Sequence, residues 1–146
     1  MNLAIEGDWH VLGTTFPMWK KGDKRNPFFR YTKIREGLWK DEVFYSVSGG
    51  KMKCIKGKDR LIAQEPPSFV WRGSGWLFPI RSKWQIDFIF PGAELMLISF
   101  QPTLFTPAGA DIISRSKNMS DAERETALIK LDSVFHGRFN EDWIWL

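Results

Sequence analysis

Gly7-Asp8-Trp9 opens the first strand-like run of the chain, and its reading decides the fold. Behind the tryptophan comes His10-Val11-Leu12-Gly13-Thr14-Thr15. If Trp9 points to one face of that strand, Val11, Gly13 and Thr15 follow it, and His10 and Leu12 take the other. A glycine inside a strand marks a bend or a close backbone approach, which Gly13 would supply. At the far end, Ile112-Ile113-Ser114-Arg115-Ser116 closes the last long strand-like run with an arginine.

Six further runs lie between these ends. Phe16 to Pro27, with two prolines and a charge cluster, reads as a long loop carrying the apolar Met18 and Trp19. Phe28 to Ile34 is the second strand, and Arg35-Glu36-Gly37 turns it into the third, Leu38 to Ser48. Ser48-Gly49-Gly50-Lys51 is a glycine-supplied hairpin turn. The fourth strand, Lys51 to Ala63, is interrupted at Gly57-Lys58-Asp59 and stopped by Pro66-Pro67. Ser68 to Leu77 is the fifth, with Phe69 and Trp71 on one face and Arg72 on the other. Gly73 and Gly75 fall on the Phe69/Trp71 side, leaving room beneath the aromatics or marking a bulge. Trp84 to Phe90 alternates and is the sixth; Pro91 to Glu94 turns it into Leu95 to Phe100; Ala110 to Arg115 is the eighth. Short turns with no helix interposed argue for an all-β, up-and-down antiparallel barrel.

The period then changes. Ser120-Asp121-Ala122-Glu123 is a capping box. Ala127, Leu128, Leu131, Val134 and Phe135 follow at helical spacing, with Gly137 just past the end. The tail Trp143-Ile144-Trp145-Leu146 is a short aromatic strand suited to the free edge of the first.

The order Gly7-x-Trp9, eight strands, Ser114-Arg115, helix and terminal strand resembles the lipocalin (calycin) family over the whole chain, 1–146, as one domain. The resemblance implies an eight-stranded barrel with one helix packed outside. It implies that Trp9 plugs the closed end with Arg115 laid across the indole, and that the Phe16–Pro27 loop lids the mouth. It further implies a small hydrophobic or amphipathic molecule held inside. On the strand alternation, Tyr31, Phe69, Trp71, Trp84, Phe88 and Phe100 line that interior, and Trp19 either packs on the rim or meets the ligand.

Composition sets the remaining bounds. An apolar share of 43% and a charged share of 26% describe an ordinary globular chain, and 15% aromatic is high. No apolar run reaches the about 18 to 20 residues of a membrane helix. The first residues, Met1 to Glu6, lack the pattern of a secretory signal, although a processed form would lack it too. Cys54 is the only cysteine, whereas secreted lipocalins usually carry a disulfide. That departure points to a reducing, cytoplasmic location. The net charge of +4 divides into +8 up to Lys83 and −4 beyond it. Lys51 and Lys53, two apart, share a strand face that reads as solvated outer wall. The same clusters would otherwise serve an anionic ligand, membrane or nucleic acid.

No chemistry is marked. One cysteine with His10 and His136 makes no zinc site, and neither a nucleophile elbow nor a phosphate or dinucleotide loop is present, so no metal or cofactor is expected. Asp87 and Arg72 are the weak catalytic candidates. Asp87 sits among Ile86, Phe88 and Ile89, and would act as acid or base if it shared the lumen; alternation instead sets it toward solvent. The reading is a binding protein with a small apolar ligand, a monomer or homodimer, without nucleic acid. The alternatives are an isomerase or cyclase of the same fold, and a basic-surface binder of nucleic acid or anionic membrane.

Overall fold

The structure is a computed structural model that describes residues 3–146. Of the N-terminal segment read above, Met1 and Asn2 lie outside the described residues. In chain order the elements are β1 (Gly7–Thr14), α1 (Pro17–Lys20), β2 (Arg25–Arg35), β3 (Leu38–Ser46), β4 (Met52–Gln64), β5 (Pro67–Gly73), β6 (Arg81–Ile89), β7 (Leu95–Phe100), β8 (Gly109–Ser114), α2 (Asp121–Phe135) and β9 (Ile144–Trp145). Each strand from β2 to β7 pairs antiparallel with the next, and β1 pairs with both β8 and β2, so the sheet closes. Closure removes the free edges that an open sheet would expose. The ninth strand adds to the upper part of β1, with Gly13 opposite Trp145 and Thr14 opposite Ile144.

Two bulges decide which side chains face inward. In β1 the register shifts between Val11 and Gly13. Trp9 and Val11 point inward as expected, but the extra residue turns Gly13 out and Thr14 in. The outward Gly13 has no room for a side chain, because a Cβ there would run into the Trp143 indole. A second shift, between Ile86 and Phe88 in β6, ends the inward run at Ile86. Phe88 therefore does not line the interior. It packs on the outer side beneath α2, edge-on to Phe90 and with the Lys130 ammonium 4.2 Å from its ring centre.

Other expectations are also corrected. The second strand starts three residues early, at Arg25, through a bulge at its mouth end where Asn26 takes a positive φ. The long loop contains the helical turn α1. The fourth strand runs unbroken through Gly57, Lys58 and Asp59. Lys53 is not on the outer wall: it faces Tyr45 across the β3–β4 ladder, on the lumen side of Ile55, and reaches solvent only because it stands at the mouth. The fifth strand ends at Gly73, where a Cβ would meet Leu77 folding back over it, so that glycine admits backbone and not lumen space.

α2 lies against the outer faces of β7 and β8. Ala127, Leu131 and Phe135 bury against Leu95, Leu97, Ala110 and Ile112. Its capping box is formed in both directions, with Glu123 N–H donating to Ser120 Oγ and Ser120 N–H to Glu123 Oε1, each at 3.1 Å. Leu128, expected in the stripe, is exposed, so the buried stripe is narrower than the spacing implied. His136 caps the helix in the left-handed conformation.

Candidate functional site

The closed end is fixed by Trp9. Its indole is 1% exposed and donates from Nε1 to the Ile5 carbonyl at 2.9 Å, folding the N-terminal segment across the barrel floor. The Arg115 guanidinium lies 3.9 Å from the ring centre and donates to the carbonyls of Asp8 and Ala4 at 3.3 and 3.4 Å. Gly7, Trp9 and Arg115 thus meet as the sequence implied, with Arg115 Nη1 over the place a Gly7 Cβ would take.

Above this floor the lumen carries an aromatic stack. Phe69 and Trp84, opposite one another on β5 and β6, stack at 4.3 Å. Tyr31 stacks on Trp84 at 5.9 Å, Trp39 meets Phe69 edge-on at 5.6 Å, and Phe100 leans beside Trp84 at 6.1 Å. Such offset and edge-on pairs add about 0.5 to 1.5 kcal/mol each beyond area burial. Tyr31, Trp39, Phe69 and Trp84 are all buried, whereas Tyr45, Trp71 and Phe100, nearer the open ends of their strands, are half-buried. The sequence-predicted residues Tyr31, Phe69, Trp71, Trp84 and Phe100 therefore share the interior, and Phe88 does not.

The lid is anchored at its root and packed at its tip. Thr15 N–H donates to the Ala110 carbonyl and Ala110 N–H to Thr15 Oγ1, while Phe16 N–H donates to Thr14 Oγ1. Proline at the first position of α1 pre-sets its turn. Trp19 is buried and lies edge-on to Tyr45 at 5.7 Å, so it packs on the rim.

Three carboxyls that the sequence reading passed over lie in this interior. Asp41 and Asp59, on neighbouring strands β3 and β4, are both buried and close enough to shift one another's ionisation. Trp84 Nε1 also donates to Asp59 Oδ1, at 3.0 Å. Burial pushes Asp41 up to about 6, and burial together with the charge of Asp41 beside it raises Asp59 well above the carboxylate range. Asp111, inward on β8, is raised by burial to about 7 although it accepts a hydrogen bond from Thr14 Oγ1 at 2.6 Å. The remaining buried oxygens, Asp41 Oδ1 and Asp59 Oδ2, and the Trp39 indole nitrogen have no protein partner. Alternation held a signal for these acids, since Trp39, Asp41, Val43 and Tyr45 share one parity.

Neither catalytic candidate reaches the lumen. Arg72 points out and lays its guanidinium 4.3 Å from the Phe78 ring centre. Asp87 sits at the β6 bulge on the outer side, half-buried, accepting from Gln85 Nε2 at 2.6 Å, with its carboxyl raised chiefly by burial. Two hollows open outside the stack. One, about 480 Å³, runs between β1 and β2 past Val11, Trp19, Phe28 and Met52, with Arg25 and Lys117 at its edges. The other, about 320 Å³, lies on the outer wall between the Glu65–Pro67 turn and the β6 bulge.

A closed eight-stranded antiparallel barrel with an indole–guanidinium plug, an external helix and a short strand on β1 is the lipocalin fold, and this chain has it. Solved lipocalins superpose over nearly its whole length. Insecticyanin from the tobacco hornworm Manduca sexta aligns with a TM-score of 0.73 at 14% identity, covering 97% of this chain and 77% of that one. The siderocalin Ex-FABP aligns at 0.70 and 12%, covering 94% and 90%. The bovine lipocalin allergen Bos d 2 aligns at 0.62 and 13%, covering 97% and 91%. No protein-family model matches the sequence, and no curated protein matches it.

Proposed function

We propose that the protein binds a small hydrophobic or amphipathic molecule at the open half of the barrel, between the buried aromatic stack and the α1 lid. The observation that carries this reading is the change in burial along the lumen. Tyr31, Phe69 and Trp84 form a closed aromatic floor, and above it Tyr45, Trp71 and Phe100 present half-buried rings under a short helix. A flat apolar molecule would extend the stack and displace little polar surface. Lys53 at the rim would suit an acidic end on such a molecule. Among the neighbours, Ex-FABP is described as functioning through dual ligand specificities, and its fold is shared here. Localisation in the cytoplasm belongs to the same proposal and rests on the single cysteine.

A second reading, an isomerase or cyclase of this fold, draws support from the buried Asp41–Asp59 pair in place of Asp87 and Arg72. A buried carboxyl raised well above the usual carboxylate range beside aromatic rings is suited to proton donation. Native mass spectrometry of the purified protein tests the binding reading. The expected result is a population carrying one non-covalent apolar molecule that is released unchanged on denaturation. Protein that purifies bare and leaves its tryptophan emission unmoved by retinoids and fatty acids would contradict it. Release of a rearranged product after loading with a known molecule would favour the enzyme.

A further inference from the structure

The open end of the barrel differs from the rest of the surface in two independent ways. The first is exposed apolar bulk. In the β5–β6 connection Trp76 and Phe78 are 87% and 56% exposed, and in the neighbouring β7–β8 connection Leu104 and Phe105 are 96% and 75% exposed. These two connections are adjacent at one end of the sheet, since β5, β6, β7 and β8 lie side by side and Gln101 N–H donates to the Lys83 carbonyl. Neither connection holds an acidic residue. Large apolar side chains clustered at loop tips are uncommon on a free surface.

The second is charge. The four connections at the open end, 15–24, 47–51, 74–80 and 101–108, carry Lys20, Lys21, Lys24 and Lys51 against Asp23 alone. Arg25, Lys53, Arg81 and Lys83, at the open ends of their strands, add to this ring. At the closed end the turns 36–37, 65–66 and 90–94 carry Glu36, Glu65 and Glu94, and these with Glu6 and Asp8 balance Lys33, Arg35, Arg60, Arg115 and Lys117, leaving no net excess of cations there. Acidic groups near the cationic rim outside these loops are Glu141 and Asp142, where Lys20 Nζ donates to the Asp142 carbonyl at 2.9 Å. The barrel is therefore polarised along its axis.

We propose that the open end docks on an anionic lipid surface, with Trp76, Phe78, Leu104 and Phe105 entering the headgroup region and the surrounding lysines and arginines meeting lipid phosphates. Interfacial binding of this kind needs apolar side chains and cations on one face, and tryptophan in particular settles at the headgroup level. A protein partner is a poorer fit, because separate protruding tips rimmed by one sign of charge offer no flat complementary patch. No helix among the described residues is long and apolar enough to cross a membrane, so the attachment would be peripheral. Docked this way, the mouth would face the acyl chains, but the docking itself needs no bound ligand.

Co-flotation of the full chain with vesicles tests this, using equimolar phosphatidylcholine and phosphatidylserine against phosphatidylcholine alone. The expected result is binding to the mixed vesicles, weakened by added salt and about tenfold weaker to neutral ones. A Trp76→Ser/Leu104→Ser double variant, folded by circular dichroism, should lose about tenfold or more in binding. A Lys51→Glu/Lys83→Glu variant should lose the preference for the anionic lipid. Unchanged flotation of the Trp76/Leu104 variant would overturn the proposal. So would a wild-type protein that ignores both vesicles and instead dimerises through these loops, monomeric in the same variant by light scattering.

Discussion

The two ends of this barrel use the same residue types to opposite effect. At the closed end, Trp9 is sealed beneath Arg115 with its indole N–H satisfied by Ile5, and among the described residues the large apolar side chains exposed there, Ile34, Ile62 and Ile89, all stand at strand ends. At the open end, Trp76 has no partner ring and projects into water, while Trp71 and Phe100 are only half-buried. Indole at the floor is a packing element; indole at the mouth is surface available for contact. The difference teaches that stability and recognition are separated along the barrel axis, so substitutions at the two ends should report on different properties.

The largest effect is expected at the floor. Trp9→Ala should cost about 3 to 5 kcal/mol of stability through the cavity it leaves, measured by denaturant unfolding. Trp76→Ala at the other end should change stability by less than about 0.5 kcal/mol. A Trp76 variant as destabilised as the Trp9 variant would erase the contrast.

Next in size is the pH response of the buried lumen acids between the two ends. Asp41 and Asp111 titrate at about 6 and about 7 in the folded state, above the ordinary 3.8. A raised carboxyl pKa means the folded state binds the extra proton. Its stabilising contribution is therefore fully present below the unfolded value and is lost as pH rises through the folded one. Thermal stability should fall from about pH 4 to pH 7, by a few kcal/mol in all. Asp111→Asn, which keeps an acceptor for Thr14, should flatten that fall and leave the protein more stable than wild type at pH 8. A wild-type profile flat across this range would contradict the buried, protonated assignment.

The smallest effect sharpens the comparison by leaving both ends alone. Ser120→Ala removes half of the capping box on the outer helix and should cost about 1 kcal/mol with no change at the mouth. Ligand binding weakened by that substitution would mean that α2 is coupled to the site.

Much of this was legible in the sequence, and what was not has a physical reason. The Gly7-x-Trp9 and Arg115 pair, the strand order and the helix cap are local signals, and each is where its residues implied. Tyr31 on β2, Phe69 and Trp71 on β5, Trp84 on β6 and Phe100 on β7 followed from period two alone. Phe88 did not, because a bulge between Ile86 and Phe88 shifts parity without any proline or glycine to announce it. Gly13 stood at the corresponding bulge in β1, and there the glycine did announce the bend. The face of Lys53 was lost for a different reason: at a barrel mouth an inward position and an exposed one coincide. Asp41, Asp59 and Asp111 share parity with lumen residues, but an acid in a strand is ordinarily solvated, and only the closed barrel removes that choice.

The most direct test of the central claim is a fluorescence titration of the wild type, Trp71→Ala and Lys58→Ala with a retinoid and a long-chain fatty acid. Lys58 faces outward on β4 opposite Arg72 and serves as the control. The account predicts saturable binding to the wild type and to Lys58→Ala, and binding about tenfold or more weaker to Trp71→Ala, which loses an aromatic wall of the mouth. Equal affinity in all three proteins, or no saturable change in any, would contradict a ligand site at the open half of the barrel.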